Sequence, residues 1–330
     1  MSFLIIMMLG TLISISSFSW INIWIGLEMN LLAFIPIISS EKLKHSSEAS
    51  LKYFLVQVSA SMMILFSFLY SFHIYNSLEK FDYLSNLIFN CSILMKMGMV
   101  PFHFWYIEVI EGLNWINILI MMTWQKITPM IMLMYNFNMN YFFCMIIMLS
   151  MLISGLKSWN QTSMKKIMAL SSINHMGWML GLMFINQSLW MFYFFIYTLI
   201  STNFIMMMNK FNIYNISELS NLMNLNKSTK FFFFFNLMSL GGIPPFMGFL
   251  PKWLVLKILM ENNFYLMAFF MVFLTLLSLY IYMRLIIQSL TFKISEKKNI
   301  FKNFNSFFFY FINFINIMGI IIFTTIFNIY

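Results

Sequence analysis

Long apolar stretches separated by short polar segments run through almost the whole chain. An α-helix needs about 20 apolar residues to cross the hydrocarbon core of a bilayer. Eleven stretches approach that length, so the pattern predicts eleven transmembrane helices. These stretches are too long and too continuous for the strands of a membrane barrel, and the predicted fold class is therefore an all-α polytopic membrane protein. The predicted spans are Phe3–Trp20, Ile21–Ile38, Ala49–Ile74, Leu84–Trp105, Trp115–Tyr135, Tyr141–Leu156, Ile167–Phe184, Ser188–Met208, Phe231–Met260, Phe264–Leu290 and Phe307–Phe327.

Composition and the placement of basic residues support this interpretation. Of the 330 residues, 61% are hydrophobic and 9% are charged, and the formal net charge is +9. The basic residues fall in short loops instead of on one amphipathic face. This placement indicates basic loops at a membrane surface and does not favour nucleic-acid binding. With eleven spans, most loop lysines lie on the side of the N-terminus, which predicts that the N-terminus faces the inner side of the membrane. These lysines are Lys42, Lys44, Lys52, Lys157, Lys165, Lys166, Lys210, Lys227, Lys230, Lys293, Lys297, Lys298 and Lys302, whereas the other side carries Lys80 and Lys257.

Four charged residues lie inside predicted spans: Glu28, Lys96, Lys126 and Lys252. A charge at the centre of a bilayer costs about 3 kcal/mol on the most lenient insertion scale, so four cost on the order of 10 kcal/mol before any pairing. Charges kept at that cost usually line an ion path or a proton relay, or form a structural ion pair. These four residues are therefore the first candidates for function.

Two of the predicted spans contain helix-breaking residues at depth. The fourth span holds Gly98–Phe102 and the ninth holds Gly242–Phe246, and both segments have the pattern Gly-x-x-Pro-Phe. Because proline lacks a backbone donor and clashes with the preceding turn, each span is predicted to form two half-helices around an irregular segment. Interrupted helices at corresponding positions in two halves of a chain indicate an ion or substrate pathway in transporters.

Lys96 lies two residues before the first break, and Glu28, at similar depth in its span, is its predicted partner. Burial disfavours an ammonium ion and a nearby carboxylate favours it, so a buried lysine beside an acid can be set to exchange protons. The alternative is a static ion pair that fixes helix packing.

The other ionisable residues in the spans also have two interpretations. Lys126 and Lys252 have no acidic residue near them in sequence, so we expect their protonation to depend on water, hydroxyl groups and remote partners. For Lys252 the alternative is an interfacial anchor beside Trp253. His103 and His175 could pass protons between the lysines, because neutral imidazole both donates and accepts hydrogen bonds. The alternative is that each histidine is a packing residue.

The sequence carries no motif for a redox or hydrolytic site. It has no phosphate-binding glycine loop, nucleophile elbow, paired catalytic carboxylates or haem ligands. Cys91 and Cys144 stand alone in apolar surroundings without a histidine at ligand spacing, which excludes a disulfide framework, an iron–sulfur cluster and a zinc ribbon. We therefore expect no cofactor and no metal in this chain.

Six short segments carry a more specific signal: Gly26–Pro36, Lys96–Trp105, Thr123–Lys126, Asn160–Thr162, His175–Trp178 and Ser239–Pro245. In this order they resemble the subunit 2 family of mitochondrial NADH:ubiquinone oxidoreductase, respiratory complex I. Members of that family are antiporter-like subunits of the membrane arm. The resemblance implies an antiporter-like fold with two discontinuous helices in related halves, as a single transmembrane domain over 1–330.

The resemblance also implies a role for each candidate residue. Glu28 is expected to modulate Lys96, Lys126 to be the central lysine of the relay, and Lys252 to be the terminal lysine of a lateral proton path. The expected members of the polar axis that joins them are His103 and His175.

The wider function follows from the same resemblance. Redox energy from NADH oxidation and ubiquinone reduction elsewhere in the complex is expected to drive proton pumping through these residues. The implied location is the mitochondrial inner membrane, with multiple spans and the N-terminus on the matrix side. The implied partners are other membrane-arm subunits and membrane lipids, with cardiolipin as a candidate at the basic loops, and no nucleic acid. FMN, iron–sulfur clusters and ubiquinone are expected in other subunits of the complex.

The sequence is also compatible with two other functions. A free-standing secondary antiporter that exchanges protons for a cation has the same expected fold, so fold alone does not separate it from the first function. It differs in that it purifies alone, whereas the first purifies only within a very large assembly. A purely structural subunit that spaces its neighbours is expected to tolerate neutral substitutions at the four charged positions.

Overall fold

The fold is all-helical over the part of the chain that the computed structural model describes, which is residues 2–39, 44–75, 83–136, 141–183, 186–219, 227–244, 246–291, 313–314 and 319. The chain divides into two compact units, 1–138 and 139–330. The helices of the first unit are α1 (Ser2–Ser16), α2 (Trp20–Ser39), α3 (Lys44–Tyr75), α4 (Tyr83–Met97), α5 (Phe104–Gly112), α6 (Trp115–Met122) and α7 (Trp124–Tyr135). Those of the second unit are α8 (Tyr141–Trp159), α9 (Met164–Met183), α10 (Gln187–Phe211), α11 (Lys227–Gly241), α12 (Phe249–Glu261) and α13 (Tyr265–Thr291), with a short 3₁₀ helix at Ile216–Glu218.

Within the described ranges, six helical segments are long and apolar enough to cross a membrane by themselves. The predicted all-α membrane class is therefore confirmed, while the count of eleven spans stays a prediction. The predicted last span, Phe307–Phe327, lies outside the described residues apart from positions 313–314 and 319. The six segments are Trp20–Ser39, His45–Phe72, Trp115–Tyr135, Tyr141–Trp159, Gln187–Phe211 and Tyr265–Ile287.

Both predicted helix interruptions are present. In the first unit α4 ends at Met97 and α5 begins at Phe104, and in the second unit α11 ends at Gly241 and α12 begins at Phe249. Gly98 and Gly242 directly follow the first half-helix of each pair and have φ of +70° and +75°. Glycine adopts this left-handed conformation without the steric cost that a Cβ atom brings, and so it ends each half-helix.

The structure corrects the end of the predicted fourth span and shows a turn inside the fifth. The fourth was predicted to end at Trp105, but its second half-helix, α5, continues to Gly112. An ion pair holds this half-helix to α3, because the Nζ atom of Lys52 lies 2.6 Å from a carboxylate oxygen of Glu108. The fifth predicted span, Trp115–Tyr135, is confirmed with the same bounds. It contains a one-residue turn at Thr123, whose hydroxyl donates to the carbonyl oxygen of Leu119 at 2.7 Å.

Helices α1 and α2 pack closely because small residues face each other. A Cβ atom placed on Gly26 would lie 2.7 Å from the backbone nitrogen of Ser14 and 2.8 Å from the carbonyl oxygen of Gly10. In a bilayer, helices gain little from burying apolar surface against each other, so close backbone approach through small residues is a main source of helix association. This pairing holds α2, the helix that carries Glu28, against α1.

Helix α9 runs through the interior of the second unit. All of its residues except Lys165 and Lys166 are buried. A helix buried on every side usually has an apolar sequence, yet the interior part of α9 contains Ser171, Asn174 and His175. Buried polar groups require hydrogen-bond partners, so these side chains point to polar neighbours inside the unit.

Candidate functional site

Lys96 occupies the end of a half-helix whose exposed backbone groups are satisfied by side chains. It is the second-last residue of α4 and is 7% exposed. The Nε2 atom of Gln57 donates to the carbonyl oxygen of Lys96 at 3.1 Å, and the indole nitrogen of Trp105 donates to that of Met95 at 3.1 Å. Carbonyl groups freed by the break thus have partners from α3 and α5, which stabilises an irregular backbone next to a buried ammonium group.

Glu28 is more exposed than Lys96, and the two residues form no ion pair. Position 28 lies between the buried and the exposed faces of α2 and is partly exposed. Among the described ion pairs within 4.0 Å, none joins Glu28 to Lys96. The alternative of a static ion pair between these two residues therefore has no support in the described contacts.

Lys126 lies in the first turn of α7, just after the interruption at Thr123. Only 1% of its surface is exposed, and its Nζ atom lies 5.0 Å from the centre of the Tyr106 ring. The face of an aromatic ring attracts a cation, and this attraction strengthens when both groups are removed from water. Lys126 is therefore enclosed by the protein within its predicted span.

A small cavity of about 20 Å³ is lined by both Lys96 and Lys126. This volume suffices for a single water molecule, provided that polar groups surround it. Besides the two lysines, the side chains in its wall that carry a polar group are Asn30, Tyr53, Gln57, Trp105, Tyr106, Gln125 and Thr128.

Gln125 connects three helices in the wall of this cavity. Its Nε2 atom donates to Oδ1 of Asn30 at 3.0 Å, and its Oε1 atom accepts from the hydroxyl of Tyr53 at 3.4 Å. Asn30 lies two residues after Glu28 on α2. Sequence reasoning assigned no role to these neutral residues, although an amide within an apolar span is itself a signal that polar partners lie nearby.

The two histidines lie in different settings. His103 is buried immediately before α5, its Nδ1 atom lies 3.2 Å from the carbonyl oxygen of Pro101, and its ring packs on Phe104. It does not line the cavity between the lysines. His175 is buried on α9, and its Nδ1 atom lies 3.0 Å from the hydroxyl oxygen of Tyr193. A role of either histidine in a relay stays a prediction.

Lys252 lies in the second half-helix of the other interrupted pair, and the break itself supplies its partner. Its Nζ atom donates to the carbonyl oxygen of Gly241 at 2.8 Å. That carbonyl belongs to the end of α11, where the helix dipole places negative partial charge. A Cβ atom on Gly242 would lie 2.7 Å from Cδ and 2.8 Å from Nζ of Lys252. Glycine is therefore required there both for its φ angle and for the space that the lysine occupies.

The environment of Lys252 does not fit the alternative of an interfacial anchor. Trp253 is 48% exposed, whereas Lys252 is 6% exposed and its ammonium group points inward. Its Nζ atom lies 5.9 Å from the ring of Trp178, one turn along α9 from His175. Lys252 and His175 thus lie in the same unit.

Interrupted helices in both halves of a helical membrane protein are typical of the class of transporter-like transmembrane subunits. The family model described as "NADH:quinone oxidoreductase/Mrp antiporter, TM" matches residues 17–278. A protein of Aedes aegypti named NADH-ubiquinone oxidoreductase chain 2 is 45% identical over 333 residues, which cover 99% of this chain and 97% of that protein. The protein of the same name from Anopheles gambiae is 47% identical over 285 residues, 86% of this chain and 83% of its own length.

The chain therefore belongs to the NADH-ubiquinone oxidoreductase chain 2 family, and the resemblance inferred from the six segments is confirmed. Its fold is also similar to a chain in the structure of respiratory complex I from Thermus thermophilus with bound aureothin. The TM-score is 0.78 at 22% identity, with 89% of this chain and 71% of that chain covered. At this identity the likeness concerns the fold alone.

Proposed function

We propose that this chain is a proton-translocating membrane-arm subunit of NADH:ubiquinone oxidoreductase. In this proposal, energy from NADH oxidation and ubiquinone reduction in other subunits changes the protonation of Glu28, Lys96, Lys126 and Lys252 in sequence. The chain contributes to an enzyme complex but holds no redox centre itself. FMN, the iron–sulfur clusters and ubiquinone belong to other subunits.

The observation that carries this proposal is the pair of buried lysines at one small polar cavity. Lys96 and Lys126 both line it, and each lies beside a helix interruption. An ammonium ion in such a place is costly unless its charge can be lost or stabilised by water and dipoles. A water molecule in contact with both amines would provide the short hydrogen-bonded step that proton transfer requires.

The proposal includes a location and partners. We place the chain in the mitochondrial inner membrane with eleven spans as one transmembrane domain and its N-terminus on the matrix side, since lysines are concentrated in the loops on that side. Its partners are the other membrane-arm subunits of the complex and membrane lipids, with cardiolipin at the basic loops. Lipid analysis of the purified complex tests the last point.

A free-standing cation/proton antiporter is the second candidate, because the matching family model covers Mrp antiporters as well. The near full-length match to proteins named as oxidoreductase chains favours the first candidate. Purification separates the two, since an antiporter that acts alone is recovered as a small particle, whereas a membrane-arm subunit is recovered only with NADH-oxidising partners.

Neutral substitutions at Lys96 and Glu28 test the relay. We expect Lys96→Ala and Glu28→Gln to lower coupled proton pumping and ubiquinone reduction by about tenfold or more, because losing a group that transfers a proton usually costs at least that factor. The matched control is Lys257→Ala, which removes an exposed lysine that pairs with Glu261 at 3.9 Å. Complex assembly is measured in parallel on native gels. Full activity in assembled Lys96→Ala membranes would reject the role of Lys96.

A further inference from the structure

Two asparagines from distant apolar stretches of the sequence meet inside the second unit. Asn236 lies in α11, directly after five consecutive phenylalanines, and Asn313 lies in the predicted last span, which carries none of the candidate residues. The Nδ2 atom of Asn236 donates to Oδ1 of Asn313 at 3.0 Å, and both side chains are buried. A buried amide without a partner costs free energy, so two amides that meet in an apolar interior hold each other in place.

Asn236 begins the last turn of α11, and this turn carries the oxygen atoms that face Lys252. The carbonyl oxygen of Asn236 accepts from the hydroxyl of Ser239 at 2.8 Å. The carbonyl oxygens of Leu240 and Gly241 lie 3.5 Å and 2.8 Å from Nζ of Lys252. At 1.5 Å per residue, Asn236 and Gly241 are only about 7.5 Å apart along the helix axis. A displacement of Asn236 would therefore also displace the two carbonyl groups.

The end of a half-helix depends on tertiary contacts for its position. The last four carbonyl groups of an α-helix have no partner within the helix. Short helices also gain most of their stability from packing against other elements and little from their own sequence. A residue elsewhere in the chain that bonds to the last turn of α11 can therefore decide where Gly241 presents its carbonyl group.

The chain also contacts the break that follows α11, six residues after Asn313. A Cβ atom on Gly319 would lie 2.8 Å from both Cγ and Sδ of Met247, which is buried within the break. The next residue, Gly248, packs so tightly on α11 that a Cβ atom there would clash with the carbonyl oxygen of Ser239. Asn313 and Gly319 thus contact the half-helix before the interruption and the break itself.

We propose that Asn313 is a positioning residue for Lys252. Its amide, together with the close packing of Gly319, fixes the end of α11 and the break that follows it. The carbonyl group of Gly241 is thereby kept at hydrogen-bond distance from the ammonium group of Lys252. This inference rests on the proposed function of Lys252 in proton transfer, and it assigns a role to the predicted last span.

The test replaces the amide in the assembled complex. Asn313→Leu keeps a side chain of similar size and removes the acceptor, whereas Asn313→Asp keeps an oxygen atom at the same position. The matched control is Phe314→Leu, which introduces leucine at the neighbouring, exposed position. We expect Asn313→Leu to lower the rate of proton pumping per assembled complex by about tenfold, because a misplacement of about 1 Å in a reacting group can cost up to about a hundredfold.

The other two variants are expected to pump at the wild-type rate. Wild-type pumping in the assembled Asn313→Leu complex would overturn the inference. An equal loss in Asn313→Leu and Asn313→Asp would overturn it as well, since the acceptor oxygen would then not be what matters.

A map of the purified Asn313→Leu complex separates positioning from a general loss of stability. The distance between Nζ of Lys252 and the carbonyl oxygen of Gly241 is 2.8 Å in the native chain. We expect it to exceed about 3.5 Å in the variant, which is too long for a direct hydrogen bond. Slower pumping with this distance unchanged would overturn the inference.

A second variant decides the matter if Asn313→Leu does not assemble. Gly319→Ala keeps the amide pair and adds one methyl group against Met247. We expect it to lengthen the contact between Lys252 and Gly241 and to slow pumping per assembled complex. Wild-type pumping in this variant would then overturn the inference.

Lys252→Met separates this inference from the proposed function. If Lys252→Met stops pumping while Asn313→Leu does not slow it, the proposed function stands and this inference fails. If Lys252→Met pumps at the wild-type rate, the role of Lys252 in the relay fails, and the inference fails with it.

Discussion

At the scale of single residues, a broken helix supplies the oxygen atom that a buried ammonium group needs. Lys252 donates to the carbonyl of Gly241, which an unbroken helix would have used for its own next turn. The end of a half-helix also carries negative partial charge, so the interaction is stronger than with an isolated carbonyl. Helix interruption and lysine burial are therefore two parts of one arrangement.

Gly242 is the residue that tests this arrangement. We expect Gly242→Ala to destabilise the protein by about 1–3 kcal/mol from the positive φ angle alone, and to displace Lys252, because the new methyl group would lie 2.8 Å from its Nζ atom. Both assembly and pumping are predicted to fall.

The control is Gly241→Ala at the neighbouring position, where the closest atom to an added Cβ is Cδ2 of Tyr282 at 3.5 Å and the carbonyl acceptor is kept. Native gels measure assembly, and vesicles that contain a pH-sensitive dye measure pumping. Equal loss in the two variants would show that the space beside Lys252 is not specifically required.

Charged candidates were predictable from sequence, whereas their neutral partners were not. Lys96, Lys126 and Lys252 stood out because each interrupts an apolar stretch, and all three are buried. Gln57 contacts the carbonyl of Lys96 across 39 positions of sequence, and Gln125 reaches Asn30 across 95. Pairings of that range depend on how helices pack, which hydropathy does not encode. The lesser burial of Glu28 was missed for the same reason.

At the scale of helices, the breaks that carry glycine and proline were predicted and the break without glycine was not. Gly98 and Gly242 adopt φ angles that other residues avoid, so their effect can be read locally. Thr123 has φ of −111° and ψ of −73°, away from the usual helical values, and both its hydroxyl and its backbone nitrogen donate to the carbonyl oxygen of Leu119. A threonine in the middle of an apolar stretch gives no comparable signal, since most such hydroxyls bond within an intact helix.

The contact between α1 and α2 gives a prediction at this scale. We expect Gly26→Leu to force the two helices apart, because even a Cβ atom there would lie 2.7 Å from the backbone of Ser14. Overpacking of this kind costs about 1–3 kcal/mol or more. The control, Ile25→Leu, places the same side chain one residue away, on an exposed position of α2.

The thermal midpoint of the purified complex and the yield of assembled complex measure this effect. We expect both to fall for Gly26→Leu and to stay unchanged for Ile25→Leu. A Gly26→Leu complex with wild-type yield and midpoint would contradict close packing of α1 on α2 as a source of stability.

At the scale of the whole molecule, each unit contains an interrupted helix pair with a lysine beside the break. In the first unit Lys96 precedes Gly98, and in the second Lys252 donates to the residue before Gly242. This correspondence was predicted from the repeated pattern Gly-x-x-Pro-Phe, and family membership agrees with it. Six described segments meet the length and hydropathy of a single span, and the half-helices beside Gly98 and Gly242 are individually too short to do so. The number of spans therefore stays a prediction.

The central claim, that buried lysines carry protons through this chain, is tested most directly at Lys126. It is the most deeply buried of the three lysines, and methionine replaces its side chain with an uncharged one of similar length. The measurement is the rate of proton pumping per assembled complex for Lys126→Met beside Lys257→Met, with NADH as the electron donor. We expect Lys126→Met to lower this rate by about tenfold or more and Lys257→Met to match the wild type. Wild-type pumping in the assembled Lys126→Met complex would contradict it.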